Sequence, residues 1–213
     1  FIYFNSDKEK SKKHKKVAQD LYQELKWSYH QLLILARDID DLLELGMEAE
    51  AKPLEIEAIN IYTNEADKYI KAHCAYLLSR TYGIHNRANL QLEYLFQAEE
   101  LLTEIGEKDL LKTVYISIAI AYEWLLTNSE KALEYDYKEL NLRKEINYNE
   151  RVAYTYLLIS ESLLGLKRIQ DFPPEYKDYL KVGGVKGSLF FDAEFLWVKA
   201  RMLQAQGKSE EAQ

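Results

Sequence analysis

The stretch YISIAIAYEW at residues 115–124 places isoleucine at alternate positions and carries a single charge, at Glu123. Such alternation suits a half-buried β-strand, and an apolar run also occurs in membrane-spanning helices. At helical spacing the same residues form two adjacent apolar faces, one of Tyr115, Ile118, Ala119 and Tyr122 and the other of Ile116, Ile120 and Trp124. The surrounding sequence must decide among these three structures.

The composition favours helices. The chain has 213 residues, of which 47% are hydrophobic and 30% charged, so it can bury a sizeable core in one or two domains. Only 8 glycines and 3 prolines punctuate it, which is too few for an all-β protein with many tight turns. Long stretches rich in Leu, Glu, Lys and Ala are typical of helical proteins.

A repeat of about 40 residues runs along the chain. Large residues recur in register at Leu42, Tyr82, Tyr122, Leu163 and Leu203, and we call these the anchor residues. Three residues before them stand mostly small residues: Ile39, Ser79, Ala119, Ser160 and Ala200. Small residues allow two helices to approach closely, so each repeat is predicted to be a pair of packed helices.

Turn-forming residues follow the anchors and separate the two helices of each pair. They are Gly46, Asn86, Gly207 and, shifted by two positions, Asn128. Gly and Asn accept the left-handed backbone that closes a helix. Asp109, Asn149, Ser188 and Asp171 are predicted helix caps, and Pro53 is predicted in the first turn of its helix.

The repeat decides the structure of YISIAIAYEW: it is predicted to be a helix buried on both faces. We expect a single helical-repeat domain over residues 1–213. Its predicted units are 8–27 (partial), 28–66, 67–107, 108–148, 149–187 and 188–213 (partial).

The repeat resembles the tetratricopeptide repeat, most clearly at residues 74–102, where Leu78, Ser79, Tyr82 and Ala98 fall at that family's spacing. It departs from the family in its longer period, in lacking the early Trp and final Pro, and in placing Asp38 and Lys199 where an apolar residue is usual. The resemblance implies an all-α, right-handed superhelix (an α-solenoid) of antiparallel helix pairs. It also implies binding of a peptide or protein on the concave face, without catalysis.

The family's inward positions, transferred by register, give two rows on the first helices. One row holds Ala36, Tyr76, Ile116, Leu157 and Trp197, and the other holds Asp40, Arg80, Ile120, Glu161 and Arg201. His73, Trp124 and Tyr154 flank the rows. The resemblance therefore implies an apolar binding strip with isolated charges, in which Arg80 and Arg201 clamp a ligand carboxylate. The alternative is that these residues pack against neighbouring helices.

No motif indicates an enzyme. The sequence contains no HExxH, CxxC, GxSxG or phosphate-loop pattern, and GGVKGS at 183–188 lacks the Lys-Ser/Thr ending of such a loop. The four histidines have no metal-ligand spacing, and the single cysteine, Cys74, excludes an intrachain disulfide. We therefore expect no catalytic residues, no cofactor and no metal.

Charge and hydropathy limit the partners further. A net charge of −7 and a pI of about 5.3 argue against nucleic-acid binding through this domain. The one basic run, DKEKSKKHKK at 7–16, is interpreted as the solvated face of a first helix. No apolar run reaches the roughly 18–20 residues of a membrane span, and we expect a cytoplasmic protein.

Three hypotheses for function follow. The first is a non-catalytic scaffold that binds a protein or peptide, and the second is the ligand-sensing or peptide-sensing part of a larger bacterial signalling or transcription regulator. The third is end-to-end homo-oligomerisation through uncapped ends. The chain begins at Phe1 without Met and stops at GKSEEAQ, where a second helix is due, so we expect the natural protein to continue.

Overall fold

The computed structural model describes residues 8–146 and 152–171, together with the single residues 196, 200, 201, 203, 204 and 207. In these residues the fold is all-α, with no β-strand. The helices are α1 (Lys8–Glu24), α2 (Ser28–Glu44), α3 (Glu48–Asn64), α4 (Lys68–Ile84), α5 (Ala88–Ile105), α6 (Lys108–Ile120), α7 (Ser129–Glu145) and α8 (Val152–Gly165). A π-helical turn at Ala121–Leu125 continues α6, and a 3-10 turn at Ile169–Asp171 follows α8.

The chain divides into two compact units, Phe1–Gly106 and Glu107–Gln213. In the first unit α2 packs against both α3 and α4, and α4 packs against α5. In the second unit α7 packs against α6 on one side and α8 on the other.

The helix starts keep the predicted period. The first helices of three pairs, α2, α4 and α6, begin at Ser28, Lys68 and Lys108, each 40 residues after the last. The residues three positions before the anchors are buried where α2, α4, α6 and α8 pack: Ile39, Ser79, Ala119 and Ser160. The hydroxyl groups of Ser79 and Ser160 donate hydrogen bonds within their own helices, each to a backbone carbonyl oxygen about one turn earlier, at 2.6 Å. All four positions are therefore buried, and three of them are small. The two serine hydroxyls are satisfied within their own helices.

The anchor residues mark the point where each first helix closes. The amide N–H of the residue five positions later donates to the anchor carbonyl, at 2.9 Å from Met47 to Leu42, from Arg87 to Tyr82 and from Arg168 to Leu163. This is the long hydrogen bond of the Schellman motif, which needs a left-handed residue just before the donor. The left-handed residues are Gly46, Asn86 and Lys167, with φ of 73°, 56° and 58°.

The turn after Tyr122 is one residue longer. There the bond to the anchor carbonyl comes from Asn128, six positions on, at 2.8 Å, and the left-handed residue is Thr127. The extra residue is absorbed by the π-helical turn, where the Leu126 N–H donates to the Ala121 carbonyl at 3.2 Å. This insertion explains why the sequence repeat lengthens from 40 to 41 after Tyr122. It also accounts for one of the two positions by which Asn128 stands out of register.

Several predicted helix ends are corrected. Asn128 does not take the left-handed position; it caps α7, and its side chain accepts from the Lys131 N–H at 3.1 Å. Asp109 is not the cap of α6, because the Glu107 side chain accepts the first N–H groups, at 2.7 Å from Asp109 and 3.3 Å from Leu110. The cap stands two residues earlier than predicted, and the longer Glu107 side chain reaches these donors. Asn149 and Ser188 lie outside the described residues.

Pro53 is also misplaced by the sequence analysis. The helix α3 begins at Glu48, so Pro53 lies in its second turn and not in its first. Its missing N–H therefore removes one helical hydrogen bond, which a proline in the first turn would not do. The cap predicted at Asp171 lies in the 3-10 turn, where the carboxylate pairs with Arg168 at 2.7 Å.

YISIAIAYEW is helical, as predicted, but it is not buried on both faces. Ile118 and Ala119 are buried, whereas Ile116 and Ile120 on the second face are half-buried. Trp124 is 57% exposed at the end of this face, within the π-helical turn. The second face is therefore a partly open apolar surface of the second unit.

Two further features concern the described part of the chain. No helix there has the length and apolar character needed to cross a bilayer. No group of three or more His, Cys, Asp or Glu side chains in the same residues has an arrangement that could hold a metal ion.

Candidate functional site

The first unit presents a face built from α2 and α4, on which residues 40 apart occupy corresponding places. We call it the α2–α4 face and define it by four such pairs: Tyr29 and Tyr69, Leu33 and His73, Ala36 and Tyr76, and Asp40 and Arg80. Leu33, Tyr69 and Arg80 are exposed, His73 and Tyr76 are half-buried, and Ala36 is buried. The predicted residues His73, Tyr76 and Arg80 thus lie on one face at i, i+3 and i+7 of α4.

An open pocket of about 400 Å³ lies at the end of this face where α2 and α4 begin. Its volume falls in the range of small-ligand sites. We call it the aromatic pocket, and its lining residues are Lys26, Trp27, Ser28, Tyr29, His30, Tyr69, Ile70 and His73.

The rings around the aromatic pocket contact one another in sequence. Tyr69 lies 4.6 Å from His73 between ring centroids, and His73 meets Tyr29 edge to face at 5.8 Å. Tyr29 meets His30 edge to face at 5.6 Å, and Trp27 lies 5.2 Å from His30. Such mutual contacts hold the rings in place at little further entropic cost when a ligand binds.

Local backbone structure presents these rings to solvent. Lys26 is left-handed, with φ of 53°, and its turn carries the chain from α1 into α2. Trp27 then occupies the N-cap position of α2, where its side chain makes no capping hydrogen bond. Because capping does not explain an indole at this position, its 49% exposure points to a role on the surface.

The opposite end of the α2–α4 face is charged. His85 Nε2 lies 3.1 Å from the Asp40 carboxylate. Partial burial raises the pKa of Asp40, against the opposing effect of its bond to His85. Arg80 is exposed one helical turn before the end of α4. The face therefore runs from aromatic to ionic along the two helices.

In the second unit the predicted residues fall into two groups. Ile116, Ile120 and Trp124 are partly or largely exposed on α6 and its π-helical turn. On α8, Tyr154 and Glu161 are half-buried, but Leu157 is 4% exposed and belongs to a core cluster with Leu133, Leu140, Val152, Tyr156, Ile159 and Leu163. Leu157 is therefore not available to a ligand in this structure. Arg201 is exposed, and Trp197 lies outside the described residues.

A buried polar network between α7 and α8 was not predicted from the sequence. Asp136 is 1% exposed, and the Ser162 hydroxyl lies 3.2 Å from its Oδ2. The same hydroxyl lies 3.4 Å from Glu123, which also accepts from Ser129 at 3.0 Å. Burial raises the pKa of Asp136 well above its usual range, and the nearby carboxylates of Glu139 and Glu123 act in the same direction.

A second part of this network lies one turn further along α7. Glu139 is buried, accepts from Thr155 at 2.6 Å and is paired with Arg143, which is also buried. Burial raises the pKa of Glu139, and its bonds to Thr155 and Arg143 oppose that shift. Allowing for the inserted residue, Glu139 stands where Ala58 and Ala98 stand in the two preceding pairs. A charged side chain thus replaces a close-packing alanine.

A buried acid also occurs in the first unit. Glu55 of α3 is 3% exposed and pairs with Arg87 at 2.5 Å and Lys52 at 3.2 Å. Burial raises the pKa of the neighbouring Tyr82 phenol to about 12, and the Glu55 carboxylate contributes to that rise. The Cys74 thiol is likewise buried, and its pKa is raised to about 12, so it is poorly suited to nucleophilic chemistry.

Comparison with known proteins bears on the fold alone. No protein-family model and no curated protein matches the sequence. Among solved structures, the chain is similar to BtubC (BKLC) from P. vanneervenii, with a TM-score of 0.75 and 15% sequence identity. The similarity covers 93% of this chain and 84% of that one. At this level of identity it supports a shared helical fold.

Proposed function

We propose that this chain is a tetratricopeptide-like helical-repeat protein that binds a peptide or protein segment without catalysis, and that the α2–α4 face is its binding surface. The repeat part of the proposal is supported by the period of 40 between helix starts and by the recurring bond to the anchor carbonyl. Stacked helix pairs of this kind form right-handed superhelices whose first helices line the concave side.

The observation that carries the binding proposal is the aromatic pocket at one end of a face that is ionic at the other. An extended or helical segment binds well where an apolar side chain enters a pocket and polar groups fix its orientation. On the α2–α4 face the pocket supplies the first element, and Asp40, His85 and Arg80 supply the second. Interface hot spots are enriched in Trp, Tyr and Arg, and the face and its aromatic pocket together carry all three.

The chemistry of the face suits recognition better than reaction. Asp40 is paired with His85, and none of the eight residues that define the face is a serine or a cysteine. Nucleophilic catalysis would need a nucleophile and a base within hydrogen-bonding distance of one another.

The test is affinity selection from a random library of soluble peptides, made with free and with amidated C termini. We expect selected peptides to bind Arg80→Ala and Tyr69→Ala about ten-fold more weakly or worse. Phe96→Ala, which removes a partly exposed aromatic side chain of α5, should leave binding unchanged. Selection of no peptide, or of peptides that ignore both α2–α4 variants, would contradict the proposal.

A further inference from the structure

The aromatic pocket combines flat apolar walls with hydrogen-bond donors. Three lining side chains are not rings, namely Lys26, Ser28 and Ile70, and none of the eight described lining residues is Asp or Glu. The chain as a whole carries 35 acidic residues and a net charge of −7. A pocket lined by a lysine and no acid is therefore a local exception in an acidic protein.

These features select a class of ligand. The Tyr, Trp and His rings present faces and edges that favour stacking and edge-to-face contacts with another aromatic ring. The Lys26 ammonium and the Ser28 hydroxyl need an acceptor when a ligand displaces their water, and the ammonium repels a cationic ligand. We propose that the aromatic pocket binds an aromatic carboxylate, with the ring among Trp27, Tyr69 and His73 and the carboxylate at Lys26.

Two kinds of ligand supply an aromatic carboxylate: a free aromatic acid, and the last residue of a peptide that ends in an aromatic side chain. The second source rests on the proposed peptide binding, and the first does not. A carboxylate contact to a charged donor typically changes affinity about ten-fold or more. The difference between an acid and its amide is therefore measurable.

The experiment measures binding to the whole chain by calorimetry and ligand-observed NMR. The probes are 3-phenylpropionate, N-acetyl-phenylalanine and N-acetyl-phenylalaninamide, which has the same ring but no charge. We expect at least one acid to bind and the amide to bind about ten-fold more weakly. Binding of both acids indicates that a free acid suffices, whereas binding of N-acetyl-phenylalanine alone indicates a peptide end; either result supports the site.

Variants locate the two contacts. Lys26→Asn removes the charge while retaining a residue that tolerates the left-handed backbone. The variant should bind the acid no more tightly than it binds the amide. Tyr69→Ala and Trp27→Ala should weaken acid and amide together, and both side chains are about half exposed, so their removal should cost less stability than the removal of a core residue. Phe96→Ala is the control.

Three results would overturn the inference: equal affinity for acid and amide, no binding of any probe, or acid binding that persists in Tyr69→Ala and Trp27→Ala. Equal affinity for acid and amide would rule out the carboxylate contact at Lys26, but it would not contradict peptide binding by the α2–α4 face. Conversely, if 3-phenylpropionate binds while no peptide is selected, the pocket assignment holds and the proposed function fails.

Discussion

At the scale of single residues, the charged side chains that break the hydrophobic pattern are those with the largest energetic consequences. Asp136 and Glu139 occupy buried places on α7, and Glu55 occupies one on α3. A buried charge is costly unless it is paired or neutralised. Glu55 and Glu139 have cationic partners, whereas the raised pKa of Asp136 favours its protonated form.

Asp136 should make the stability of the second unit depend on pH. The folded state holds its proton more tightly than the unfolded state does, because burial raises the pKa from its ordinary 3.8. Asp136 therefore contributes its full stabilisation to the folded state below about pH 4, and this stabilisation is lost as the pH rises through the folded-state pKa. We expect urea denaturation to show a larger loss of stability between about pH 5 and about pH 8 in the wild type than in Asp136→Asn.

Glu134→Gln is the matched control on the same helix. The Glu134 side chain is exposed, and its hydrogen bond to Lys131 lowers its pKa, so it stays ionised across this pH range. The variant should retain the wild-type pH dependence. Parallel pH profiles for the wild type and Asp136→Asn would show that Asp136 is not the titrating group.

Gly165 tests the close approach of α8 to the start of α7. A Cβ added at Gly165 would lie 2.6 Å from the Ser129 hydroxyl oxygen and 3.4 Å from the Ser129 Cβ. We expect Gly165→Ala to lower the free energy of unfolding by about 1–3 kcal/mol through overpacking. In a Ser129→Ala background the offending oxygen is gone, so the same change should cost less; equal costs in both backgrounds, measured by thermal or urea denaturation, would contradict this packing.

At the scale of elements, sequence and structure agree where one backbone motif repeats. The anchor column was found from side-chain size, but its physical basis is the carbonyl that closes each first helix. The left-handed residue at Lys167 was missed because lysine is not a turn former by composition, although it stands four residues after Leu163 in the same register as Gly46 and Asn86. Position in the repeat therefore predicts the left-handed residue better than residue type does.

The π-helical turn is an insertion that the fold should tolerate losing. Deleting the partly exposed Leu126 restores the shorter spacing of the preceding pairs. Because Ser129 bonds to Glu123 across this turn, we expect the deletion to break the Glu123 hydrogen bonds and to lower the free energy of unfolding by about 1–3 kcal/mol. Circular dichroism should show retained helix and a cooperative melt. Deleting Lys138 in the middle of α7 is the control, since it rotates the rest of that helix by about 100° and should unfold the second unit. If the two deletions behave alike, the turn is not a tolerated insertion.

At the scale of the whole molecule, the sequence predicted the helical class and the closing turns at Gly46 and Asn86, because hydrophobic period and turn residues are local signals. The candidate site was harder to predict from the sequence. The aromatic pocket contains only one predicted residue, His73, although the step of 40 from Tyr29 to Tyr69 is visible in the sequence. The buried network of Asp136, Glu139 and Arg143 was invisible, because polar residues on a helix are ordinarily solvated and their pairing depends on a neighbouring helix.

The central claim is that a ligand segment lies along the α2–α4 face, and site-specific photocrosslinking tests it most directly. A photoreactive phenylalanine derivative replaces Leu33, which is exposed on α2 within the face, or Ile56, which is 52% exposed on α3 and lies outside it. With a peptide obtained by library selection, we predict a crosslink from position 33 and none from position 56. A crosslink from position 56 alone, with position 33 silent, would contradict the claim.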